Sequence, residues 1–241
     1  VRSGLAALAL LVATGGAACG PTTALDYGRQ LFSDPALSSA ASNRFACKTC
    51  HDAGSPSGAL RPGYPLLDVT HRPSFWGGQE LTLRDAVNQC LTELMRGRPL
   101  SADDEKGRAL FVYLRSLGDG SSSWAAAQPL TFVRDIVDVP SGDAAAGARL
   151  YDAGCATCHG APNTAAGRLD EGATVIPDDS VREHGADPTT GARPITIEKV
   201  RHGKYFAVGG HMPPFALELL SDGALGDLLA FLETKGLPPS R

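Results

Sequence analysis

Cys47-Lys48-Thr49-Cys50-His51 and Cys155-Ala156-Thr157-Cys158-His159 are two copies of one pattern, Cys-x-x-Cys-His. Each copy sets two thiols about one helical turn apart and follows them at once with an imidazole. Three familiar uses of paired thiols fit poorly. A Cys-x-x-Cys redox site belongs in a thioredoxin-like βαβ setting, and neither copy has that context. Zinc held by two Cys-x-x-Cys pairs does not require a His directly after both. Structural disulfides have no reason to repeat the motif.

Attachment of a c-type haem does require all three groups. Two thiols add to the two vinyl groups of one haem, and the adjacent His swings under the iron as its proximal ligand. Cys47, Cys50, Cys155 and Cys158 are therefore the expected attachment residues for two haem c groups. His51 and His159 are the expected axial ligands.

Each iron has a second axial position. The chain contains two Met, one after each motif: Met95 and Met212. They are the candidate sixth ligands, against the plain alternative of core filler. Cys90, five residues before Met95, leaves the first site open. It is either a small buried apolar residue or a competing ligand. His71 offers a bis-His alternative at the first iron, and His211 could replace Met212. Arg201 and His202 suit packing or a propionate. Trp76 and Arg72 suit a propionate or a solvated rim, and His184 reads as a solvated residue of a polar loop.

The 241 residues suit two domains of about 100 residues each. Aromatics make up only 6 %, beside 28 Gly and 17 Pro. Such thin cores gain from a covalent cofactor as filling. A net charge of −4 argues against a nucleic-acid partner. Arg2, the apolar run from Leu5 to Ala13 and small residues up to Ala18 read as an export signal, residues 1–18, too short to span a bilayer. Gly16-Ala17-Ala18-Cys19 resembles a bacterial lipobox, although Gly16 stands where that pattern prefers Leu. The expectation is an exported, periplasmic chain with a lipid anchor on Cys19.

An internal repeat extends beyond the motifs. Gly28-Arg29-Gln30-Leu31-Phe32 matches Gly147-Ala148-Arg149-Leu150-Tyr151. The gap from this Gly to the first motif Cys is 19 residues in one copy and 8 in the other, so the first carries an insertion, placed at Ser38 to Ser42. Leu110 to Gly118 likewise matches Leu228 to Gly236, both read as amphipathic helices closed by Gly. Asp103-Asp104-Glu105 and Ser221-Asp222 supply capping groups near their starts.

This order resembles the class I cytochrome c fold over nearly all of the mature chain. The resemblance implies an all-α architecture of two tandem cytochrome c-like domains with long loops. The boundaries are residues 19–120 and 141–241, with an extended linker over 121–140. It also implies that the first and last helices of each half cross at a Gly/aromatic contact. Gly28, Phe32 and Tyr113 would make one such contact, and Gly147, Tyr151 and Phe231 the other. Met212-Pro213-Pro214-Phe215 is similar to the distal-ligand motif of small cytochromes c. Asp85 to Leu117, with Cys90, resembles the first haem domain of dihaem thiosulfate dehydrogenases, where a Cys in a comparable place ligates iron and meets the sulfur substrate.

The leading expectation is a non-catalytic carrier that relays single electrons between redox partner proteins. Two His/Met sites leave no open coordination position for a substrate. The alternatives are a sulfur-compound oxidoreductase using Cys90, or the cytochrome subunit of a larger dehydrogenase.

Overall fold

The computed structural model describes residues 23–101, 103–126, 130–206 and 210–240. The expected export signal and Cys19 lie outside the described residues. The described elements are helical: α1 (Ala24–Phe32), α2 (Cys47–Cys50), α3 (Leu83–Gln89), α4 (Glu105–Arg115), α5 (Ala144–Gly154), α6 (Ala156–His159), α7 (Asp178–His184), α8 (Ala192–His202) and α9 (Asp222–Glu233). Among the described residues no strand ladder forms, beyond one isolated bridge between Phe75 and Glu80. This is the expected all-α class. Among the described residues no helix is long and apolar enough to cross a membrane.

Local chemistry starts each long helix. Thr23 caps α1 by accepting from the Asp26 amide at 3.1 Å, and Asp104 caps α4 at the Lys106 amide at 2.9 Å. Asp143 caps α5 and Ser221 caps α9 in the same way. The Gly closures are only half realised. Gly236 follows α9 with φ of 112°, but α4 stops at Arg115 with Ser116 as its cap. Gly118 instead presses against Asp68, where a Cβ would meet the carboxylate.

The packing follows the repeat. Helix α1 crosses α4, and α5 crosses α9. At the first crossing a Cβ on Gly28 would stand 2.0 Å from the Ala109 carbonyl oxygen, and Phe32 meets Tyr113 at 5.3 Å between ring centroids. At the second, a Cβ on Gly147 would stand 1.9 Å from the Asp227 carbonyl oxygen, and Tyr151 meets Phe231 at 5.5 Å. Backbones approach so closely only where one helix lacks a side chain. Around each crossing lies one apolar cluster. One gathers Leu31, Phe32, Leu91, Leu110 and Leu114; the other gathers Tyr151, Ile197, Leu225, Leu228 and Leu229.

Residues 130–142 run without regular structure across the second cluster's side of the molecule. Phe132 stacks on Tyr205 at 3.9 Å, Thr131 bonds Glu218, and Val139 is buried. Arg193 holds the far end of this arm. It is fully buried, and its guanidinium reaches Asp138 at 2.8 Å, Glu233 at 2.6 Å and the Val139 carbonyl at 2.8 Å. A buried charge persists only with partners of this kind.

Candidate functional site

Both Cys-x-x-Cys-His motifs open onto one continuous cavity of about 460 Å³. Its wall includes Cys47, Cys50, His51, Cys155, Cys158 and His159, together with Met95, Met212 and Cys90. The expected site residues, which lie far apart in sequence, are thus gathered around a single space. That volume falls within the roughly 300–1,000 Å³ typical of ligand pockets. Most of the wall is apolar: Phe32, Leu91, Leu110, Phe215, Leu228 and Leu232 continue into it from the two clusters.

The first motif forms the short helix α2, held by the Ala46 amide on the Thr49 hydroxyl at 3.0 Å. His51 closes it, with its amide on the Cys47 carbonyl at 2.9 Å. The His51 Nδ1 lies 2.6 Å from the Tyr64 carbonyl oxygen. In the second motif the His159 Nδ1 lies 2.9 Å from the Thr174 carbonyl oxygen. A carbonyl can only accept, so in both rings Nδ1–H donates and Nε2 keeps its lone pair. This is the tautomer that a metal-ligating His adopts when a backbone carbonyl orients it. Burial also lowers the pKa of both rings, which favours the neutral, ligating form.

The five described cysteines are free thiols. Burial pushes Cys47 and Cys158 up to about 11, and Cys155 to about 12. It raises Cys50 further, with the Cys158, Cys90 and Cys47 thiols adding to the effect. A dry space that disfavours thiolates suits thiols whose fate is a neutral thioether. These features fit a covalently attached haem at each motif: paired free thiols, a preset imidazole tautomer and an apolar cavity.

Gly63 makes the His51 pose attainable. A Cβ there would lie 2.4 to 2.8 Å from three atoms of the ring. Gly63→Ala is expected to push the imidazole off the Tyr64 carbonyl and to destabilise the first half by about 1–3 kcal/mol. A denaturant melt superimposable on that of the parent would contradict this contact.

Met95 is buried and ends a π-turn over Cys90–Leu94, where its amide donates to the Cys90 carbonyl at 2.9 Å. Such turns are frequent at functional sites. The turn keeps both Cys90 and Met95 on the cavity wall. Ser38, from the expected insertion, donates to the Met95 carbonyl at 2.9 Å, and the Ser39 hydroxyl accepts from the Arg98 amide at 2.9 Å. The Ser/Ala-rich stretch therefore grips the Met95 loop. On the other side, the Lys204 amide donates to the Met212 carbonyl at 2.9 Å, and the Phe215 amide to the Val200 carbonyl at 2.8 Å.

The remaining candidates separate cleanly. His71 is exposed at the end of a short turn and lies beside Gly120, away from the cavity wall. It does not serve the first site as a bis-His partner in this arrangement. His202 is buried with Nε2 2.8 Å from the Val133 carbonyl, and Arg201 spends its guanidinium on the Phe215 and Leu220 carbonyls and Asp222. Both act in packing. His184 is not in a loop but closes α7, exposed at the cavity rim. Trp76 and Arg72 reach the wall, but the Arg72 donors go to the Trp124, Pro65 and Leu67 carbonyls. His211 lines the cavity next to Met212, with Nδ1 2.6 Å from the Glu93 carbonyl.

Residues 142–232 match the family described as cytochrome C oxidase, cbb3-type, subunit III. The match covers α5 to α9 and includes Cys155, Cys158, His159 and Met212. It supports a c-type cytochrome, an electron-transfer haem protein with covalently bound haem c. No curated protein matches the chain.

Proposed function

We propose that the chain is a dihaem electron-transfer cytochrome, with two tandem cytochrome c-like halves relaying single electrons between redox partner proteins. The observation that carries this reading is the doubled site: two motifs with matching His–carbonyl bonds, each with a Met on the shared wall. Bound haem would supply an iron that cycles between Fe(III) and Fe(II). The chain's own part is to hold His51 and His159 as one tautomer and to keep water from the cavity. It also presents Met95 and Met212 as thioether ligands, which raise the potential relative to a His or thiolate partner. Export to the periplasm and lipidation at Cys19 belong to the same proposal, because haem attachment to Cys-x-x-Cys-His and the residues 1–19 pattern point to one compartment.

The test is a pyridine haemochrome assay on the mature protein with a redox titration. Two c-type haems per chain and two reversible one-electron steps are expected. One haem, or a step that thiosulfate alone drives, would overturn the carrier reading as stated.

One observation favours a second reading, a thiosulfate dehydrogenase-like activity. Cys90 shares the cavity wall with Met95. Its thiol is raised to about 12, first by burial and then by the Cys47 thiol. Burial disfavours its thiolate, and iron coordination would favour it. Reduction by thiosulfate that disappears in Cys90→Ala would support this activity; no reduction would remove it.

A further inference from the structure

The cavity wall is stitched across its two halves by polar contacts that cluster at one residue. Glu93 stands in the π-turn two positions before Met95. Its carbonyl lies 2.6 Å from the His211 Nδ1, and its carboxylate lies 3.3 Å from the Lys204 ammonium. His211 directly precedes Met212, and the Lys204 amide holds the Met212 carbonyl at 2.9 Å. Glu93 thus contacts both His211, the neighbour of Met212, and Lys204, the residue whose amide holds Met212. A further pair runs nearby, from Arg96, next to Met95, to Asp170 at 2.6 Å.

We infer that Glu93 is a positioning residue shared by both sixth-ligand loops, so that the Met95 and Met212 loops move as one unit. The inference rests on the proposed assignment of these two Met as iron ligands. A loop that carries a weak thioether ligand must be held if the ligand is to stay in place. Here the first half holds the second half's ligand. The Glu93–Lys204 pair is partly exposed and is weak taken alone. The hydrogen bond from His211 to the Glu93 carbonyl and the one from the Lys204 amide to the Met212 carbonyl add to it, because they hold Met212 and the residue directly before it. The coupling is reciprocal by thermodynamic necessity: whatever Glu93 does for Met212, an ordered Met212 loop does for the π-turn.

The test uses the holoprotein carrying Met95→Ala, in which the Fe(III)–Met charge-transfer band reports Met212 alone. Imidazole, a competing ligand, is titrated against that band. Adding Glu93→Ala, which removes the carboxylate pair and leaves the main-chain bond to His211, is expected to lower the imidazole concentration at half-bleaching by about two- to fivefold. Glu93→Gln keeps an acceptor for Lys204 and is expected to restore most of the parent value. Lys204→Met, which preserves the stem and removes the charge, is expected to shift the midpoint in the same direction as Glu93→Ala. An unchanged midpoint in both Glu93→Ala and Lys204→Met, with the band present, would overturn the inference alone. Absence of a Met band in the parent would overturn the ligand assignment, and the inference with it.

Discussion

On the proposed dihaem reading, Cys155→Ser with Cys158→Ser will leave one haem per chain in place of two, and the haemochrome absorbance per protein will fall by half. A serine hydroxyl forms no thioether with a vinyl group, so attachment at that motif is lost outright. The second half also carries the match to a cytochrome family, so its motif is the better supported of the two. The converse variant, Cys47→Ser with Cys50→Ser, tests the first half, which rests on the repeat and on the His51–Tyr64 bond. The same loss by half is expected there. The two pairs should differ in their effect on stability. Cys155 is buried in the second apolar cluster, whereas Cys47 only packs against the first. Serine at Cys155 therefore also places a hydroxyl where the surroundings are apolar, at a cost of about 1–3 kcal/mol. Unchanged absorbance in either variant would remove haem attachment from that motif. Equal loss of both haems from a single pair would instead show that the shared cavity assembles only when both motifs are intact.

What the sequence announced and what it withheld divide along a physical line. Residue types at fixed spacing are visible in a sequence, so the two motifs, and with them the two Met as ligand candidates, could be singled out by reading; the structure brings all of them to one cavity wall. The helix crossings were legible through the resemblance to the class I cytochrome c fold, which implied a Gly/aromatic contact at Gly28 and Gly147, and the structure places both glycines at such close approaches. The partners of the two imidazoles could not be read. They are the carbonyls of Tyr64 and Thr174, and any residue type supplies a carbonyl. The grip of Ser38 on Met95 was equally hidden, because a Ser/Ala-rich stretch looks like slack and only its long-range contact shows a task. His71, an alternative ligand in the sequence, is the opposite case. It is a good ligand by type, but the turn that carries it is tied down through Asp68, which accepts from the Gly120 amide at 2.8 Å and the Ser122 amide at 3.1 Å. Glu93 had no signature at all, since its contacts depend on how the halves meet.

Gly147→Val will destabilise the second half by about 3 kcal/mol, the upper end of ordinary overpacking, and lower its thermal midpoint by about 12–24 °C. The new Cβ would begin 1.9 Å from the Asp227 carbonyl oxygen and 2.9 Å from the Phe231 Cβ. Neither neighbour is a flexible side-chain end, so α5 and α9 must move apart. That separation loosens the Tyr151–Phe231 contact and lifts Tyr151 from the Gly160 carbonyl, to which its hydroxyl donates at 2.9 Å. Gly160 directly follows His159, so the strain reaches the motif, and weaker haem retention should accompany the lower midpoint. Helix propensity cannot explain such a loss, because it separates Gly from Val only slightly and in favour of Val. A control fixes the sign. Gly223 lies exposed in the first turn of α9, and a Cβ there would find only the Ser221 hydroxyl, at 3.9 Å. Gly223→Ala should leave the stability unchanged or raise it by about 0.5 kcal/mol, through reduced freedom of the unfolded chain. If both substitutions lower the midpoint alike, general helix weakening is the cause and the crossing carries no special constraint. If only Gly147→Val does, the close approach of α5 and α9 is what sets the geometry of the second motif.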